Sequence, residues 1–149
     1  MKVKDIMDPS PDIIRTSDTF ERLIKILGEV KYHVVFVVDG EDKLVGIVTE
    51  GDIIKVLIPK YVTVDESLIS VMDVNYFERK CRECKDLTIN EIMSKTTFLV
   101  REEDPIIKAV ALMVVNKIHT IPVVRNSKIV GIVSRLTLIK HITKVLAEH

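Results

Sequence analysis

The stretch Leu44-Val45-Gly46-Ile47-Val48-Thr49-Glu50-Gly51-Asp52 decides the fold, because it returns 85 positions later as Ile129-Val130-Gly131-Ile132-Val133-Ser134-Arg135-Leu136-Thr137. Upstream the offset is 86. It sets Lys4-Asp5-Ile6-Met7 against Asn90-Glu91-Ile92-Met93, and His33-Val34-Val35-Phe36-Val37-Val38 against His119-Thr120-Ile121-Pro122-Val123-Val124. The one-residue change of offset falls in a turn, as a tandem duplication tolerates. Residues 3–57 and 89–142 are therefore two copies of one unit.

Working outward, each copy reads β-α-β-β-α, an α/β (α+β) pattern. A short strand (Ile13–Arg15, then Phe98–Val100) leads into a helix with apolar residues at i, i+3, i+4, i+7. These are Phe20, Leu23, Ile24 and Leu27 in the first copy, and Ile106, Ala109, Val110 and Met113 in the second. Two β-branched runs follow, 34–38 then 44–48 around Asp39-Gly40, and 120–124 then 129–133 around Asn126-Ser127, each fitting a hairpin. A closing helix starts at Thr49 or Ser134. Its expected buried side is Ile53, Ile54 and Leu57, or Leu138, Ile139 and Ile142. A unit of about 55 residues buries too small a fraction of its surface to be stable alone, so the two are expected to pair about a pseudo-twofold axis.

Domain bounds follow as 1–58 for the first unit, 59–88 for a linker and 89–149 for the second unit. The linker exceeds the usual connection of roughly 4–6 residues. It carries Pro59, a Val62–Asp65 stretch, and Leu68, Met72, Tyr76 and Phe77 at loosely helical spacing, so it is expected to be ordered and partly helical. With 22 basic and 22 acidic residues, no net field favours nucleic acid or an anionic membrane. The first ten residues hold no apolar signal region and no apolar run approaches a membrane span, so a cytoplasmic protein is expected.

The opening Ile-Met, the His-x-h-Pro-Val-Val strand (h being any hydrophobic residue) and the Gly-x-h-Ser/Thr-x-x-Asp turn into a helix resemble the cystathionine-beta-synthase (CBS) domain. Such domains occur as pairs called Bateman modules. The resemblance covers both repeats, about 110 of 149 residues. It implies two interdigitated, pseudo-symmetric units with clefts between them that bind AMP, ADP, ATP or S-adenosylmethionine. It further implies a stand-alone regulatory sensor with no required cofactor, assembled as a homodimer and acting on a protein target that the sequence does not name. An interaction protein that dimerises or docks a partner with empty clefts is the alternative reading.

On this resemblance the nucleotide-binding set is Gly46, Thr49, Asp52, Ile14, Val35, Val37, His119, Thr120, Ile121, Pro122, Ser134, Arg135, Thr137, Val100 and His33. Gly46-Ile47-Val48-Thr49-Glu50-Gly51-Asp52 matches the family motif in full, and the family places ribose hydroxyls on the Thr49 and Asp52 positions. A carboxylate suits a vicinal diol, accepting two charge-assisted hydrogen bonds. Gly46 would allow close approach of the backbone. Thr-x-x-Asp is equally a helix-capping arrangement, and the two roles can coexist. The second copy has Thr137 in place of the carboxylate, so unequal sites are expected, with the one around Asp52 the tighter. His119-Thr120-Ile121-Pro122-Val123 keeps the family proline, whereas Phe36 replaces it in the first copy, where core filling is expected. The resemblance gives phosphate to His119 and Arg135 of the repeat opposite Asp52, and less strongly to His33 and Lys55.

Cys81-Arg82-Glu83-Cys84 supplies only two of the four ligands that structural zinc needs. A metal site would require a second chain, and a redox thiol pair is the other functional reading; two ordinary linker cysteines are the simplest. The chain shows no nucleophile-base constellation and no phosphate-cradling glycine loop, so it is not expected to be an enzyme.

Overall fold

The computed structural model describes residues 1–148 except 31, 60, 62, 63, 96 and 97. Residues 62 and 63 of the Val62–Asp65 stretch thus lie outside the described residues. The chain forms two compact units that do not follow the sequence boundary between the repeats. One comprises Ile13–Val38 and Gly46–Lys95; the other comprises Met1–Asp12, Asp39–Val45 and Thr96–His149.

In the unit built on the first repeat, β1 (Ile13–Arg15) pairs in parallel with β2 (Val34–Val38), setting Ile14 opposite Val37. β3 (Leu44–Thr49) lies next to β2, and β4 (Ser94–Lys95) closes the edge antiparallel to β3. All five β2 residues are buried, as a continuous Val/Phe run in a mid-sheet strand requires. Phe36 is fully buried, so it fills core space where the second repeat has Pro122. α1 (Phe20–Leu27) and α2 (Glu50–Leu57) bury Phe20 and Leu23, and Ile53 and Leu57, respectively. Ile24 and Ile54 stay exposed, so the buried stripes are narrower than the periodicity suggests. The linker is partly helical, with a 3-10 turn at Glu66–Val71 and α3 at Tyr76–Glu83. The second repeat then opens with α4 (Ile89–Ile92), whose Ile89 and Ile92 are buried.

In the other unit, β5 (Thr120–Arg125) and β6 (Lys128–Ser134) form the expected hairpin. Asn126 (φ 51°) and Ser127 (φ 67°) occupy its turn with both φ positive, the conformation whose twist suits a two-residue connection. The first repeat's extra turn residue gives a different solution: Asp39 Oδ1 accepts from the Glu41 and Lys43 amides, and the left-handed residue is Asp42 (φ 64°), not Gly40. The expected strand at Phe98–Val100 shrinks to one parallel bridge, Val100 to Val123. Val100 N–H donates to Pro122 O and Val124 N–H to Val100 O, but Pro122 has no N–H with which to extend the ladder. α5 (Ile106–Asn116) buries Ala109 and Met113 in a core with Val3, Val100, Ile121, Val123 and Val133. The first repeat's opening segment thereby contributes Val3 to the core of this unit. α6 (Arg135–Ala147) packs on β6, leaving Ile139, Ile142 and Leu146 exposed along one side, contrary to the expectation for Ile139 and Ile142.

Candidate ligand-binding site

The end of β3 hands the chain to α2 at Thr49, whose extended backbone (φ −110°, ψ 168°) is that of an N-cap. Thr49 Oγ1 accepts the Asp52 N–H at 3.3 Å, and Asp52 Oδ2 accepts the Thr49 N–H at 2.9 Å and its hydroxyl at 3.2 Å. The capping reading of Thr-x-x-Asp is therefore realised, with two orphan donors of the helix end satisfied reciprocally. Both residues remain half-exposed. Asp52 Oδ1 accepts a further bond from Ser94 Oγ at 3.0 Å. A carboxylate has about four acceptor sites, so capping and ligand contact are compatible here.

Gly46 is required by packing. A Cβ there would stand 2.6 Å from Met93 Sδ and 2.9 Å from Ser94 O. Gly131 repeats this against Met7 Sδ at 2.6 Å and Asp8 O at 3.0 Å. The close approach expected of Gly46 is thus made by the protein's own Ile-Met segment, and each repeat's glycine takes the Met of the other repeat.

The second helix-opening box is closed. Ser134 and Thr137 are 3% and 9% exposed. Thr137 Oγ1 accepts the Ser134 N–H at 2.8 Å and donates to Ser134 O at 2.9 Å, while Ser134 Oγ accepts the Thr137 N–H at 3.2 Å. Thr137 has spent its only hydroxyl proton inside the box.

Of the remaining expected residues, Ile14, Val35, Val37, Val100, Ile121 and Pro122 are buried, backbone as well as side chain, and present almost no surface to a ligand. Thr120 is half-buried and pairs with Ser134. His119 and Arg135 come together: Arg135 N–H donates to His119 O at 3.1 Å, and both side chains line a depression of about 350 Å³. Val110, Met113, Val114, Ile118 and Leu138 also line it, and Lys117 adds a third basic residue that no sequence motif marks. Lys117 has a left-handed backbone (φ 54°) at the end of α5, a feature invisible to side-chain motifs. His33, also left-handed (φ 59°), sets Nδ1 3.2 Å from Glu50 Oε1. A phosphate placed there would meet that carboxylate, which makes His33 a poorer anion ligand than His119. Lys55 is exposed on α2.

Cys81 and Cys84 are free thiols on and just after α3. Burial pushes the Cys84 thiol above its ordinary pKa, the opposite of an activated thiolate. Among the described residues no group of three or more His, Cys, Asp or Glu could hold a metal, and no helix is long and apolar enough to cross a membrane.

The family model for the CBS domain matches twice, at residues 3–59 and 89–144. A chloroplastic CBS domain-containing protein, CBSX1 of Arabidopsis thaliana, is 42% identical over 53 residues, 36% of this chain and 22% of that one. The chain thus matches about a fifth of that relative's length. Among solved structures, the CBS domain of a membrane protein from Sphaerobacter thermophilus is 30% identical with a TM-score of 0.73, covering 94% of this chain and 86% of that one. The CBS domain pair of protein MJ0100, solved with 5′-methylthioadenosine and S-adenosyl-L-methionine, is 25% identical with a TM-score of 0.71, covering 97% and 98%. With both repeats matched and the duplicated strand-to-helix boxes in place, this chain belongs to the CBS-domain family as a tandem CBS pair, a Bateman module.

Proposed function

We propose that this protein is a regulatory sensor, without catalytic activity of its own, that binds an adenosine derivative by its ribose at Thr49 and Asp52. The observation that carries this reading is the half-exposed Asp52 carboxylate at the start of α2, which caps the helix and retains acceptor capacity. The ligands in the MJ0100 structure, both adenosine compounds, support the ligand class. In the other unit His119, Arg135 and Lys117 line a depression of their own, which is proposed to take an anionic group such as phosphate. Ligand acts by binding one arrangement of the protein more tightly than another and so shifting a population that a cytoplasmic target protein senses. The exposed Ile139, Ile142 and Leu146 on α6 support a homodimer as the working form. A thermal-shift panel of AMP, ADP, ATP and S-adenosylmethionine tests the reading. A ligand at 100 times its Kd adds about 2.7 kcal/mol, which raises Tm by about 5–10 °C for a chain of this size. No shift with any of the four would overturn it in favour of an interaction protein with empty sites.

A further inference from the structure

We propose that Ser94 is an internal stand-in for a ribose hydroxyl, and that a ligand gripping Asp52 with both ribose hydroxyls must displace it. The inference rests on the adenosine reading above. Ser94 Oγ donates to Asp52 Oδ1 at 3.0 Å, while Oδ2 already accepts two bonds from Thr49. Three of about four acceptor sites are therefore filled, and a vicinal diol needs two.

Ser94 is the donor able to leave. The Thr49 N–H is fixed by the backbone, and the Thr49 hydroxyl oxygen is tied to the Asp52 N–H in the reciprocal cap. Ser94 is exposed on a two-residue strand, and rotation about one side-chain bond frees it. Nor does its hydroxyl hold the segment in place. Residues 93–95 dock through backbone pairing of Ser94 with Ile47 and Lys95 with Gly46, and through Met93 on Gly46. In the other unit the equivalent residue is Asp8, and its backbone docks the same way on Ile132, with both hydrogen bonds at 2.9 Å. The docking does not dictate the side chain.

The consequence is a ligand preference. A sugar with one hydroxyl at this position uses the open acceptor site and leaves Ser94 where it is. A full ribose gains a second bond to the carboxylate only by breaking the serine's, so the serine masks the advantage of ribose over deoxyribose. Displacement also unties α2 from Ser94, in the opening segment of the second repeat.

Calorimetric titration of adenosine and 2′-deoxyadenosine into the full chain tests this with wild type, Ser94→Ala, Ser94→Thr and Asp52→Asn. Ser94→Ala should tighten adenosine about tenfold and change 2′-deoxyadenosine by less than about twofold, while Ser94→Thr, which keeps the donor, should behave as wild type. If Asp52→Asn weakens adenosine but Ser94→Ala leaves it unchanged or weaker, the stand-in is wrong and Ser94 merely orients the carboxylate. If wild type does not bind adenosine, or Asp52→Asn binds it as well as wild type, the adenosine reading itself fails and the stand-in falls with it.

Discussion

The two helix-opening boxes descend from one duplicated segment and have diverged in opposite directions. Thr49 and Asp52 form a half-exposed box that carries a charge and an outside donor, Ser94. Ser134 and Thr137 form a buried, neutral box whose hydroxyls, among the described residues, bond to each other's residues. Capping geometry is common to both, so helix stability did not separate them. The boxes differ at the third helical position, Asp52 against Thr137, and at the cap, Thr49 against Ser134, and the first is half-exposed where the second is buried. A buried carboxylate without a partner would be costly, whereas a threonine can return its proton to the Ser134 carbonyl.

What the boxes still share should give the largest effects. Gly46→Ala and Gly131→Ala each drive a methyl group into a methionine sulfur and a backbone carbonyl. Each should lower unfolding free energy by about 2 kcal/mol in urea, to a similar extent, because the two clashes are nearly the same. A large difference between the two would break the symmetry on which the comparison depends.

The caps themselves come next. Thr137→Ala leaves the buried Ser134 N–H without an acceptor and should cost about 1.5 kcal/mol, while Thr49→Ala, half-exposed and open to water, should cost about 0.7 kcal/mol. Equal losses in the same urea titrations would mean that the closed box is no more sealed than the open one.

Much of this was legible in the sequence. The repeat, the hairpins, the Asn126-Ser127 turn and both helix starts follow from local patterns that the structure obeys. What was not legible is long-range. Nothing local assigns residues 1–12 to the unit of the second repeat; that follows from Met7 meeting Gly131 and Val3 entering that core. The strand at Phe98–Val100 fails because of a proline in its partner. The role of Ser94 is likewise long-range: its link to Asp52 spans 42 positions, and it stands just after the opening Ile-Met of its repeat.

The central claim is that the open box, and not its closed twin, holds the ribose. Calorimetric titration of AMP into wild type, Asp52→Asn and Thr137→Ala at 15 °C tests it most directly. Asp52→Asn should weaken AMP at least about tenfold, as loss of a charge-assisted hydrogen bond does, and Thr137→Ala by less than about twofold. Equal weakening by both variants, or AMP affinity indifferent to Asp52, would contradict it.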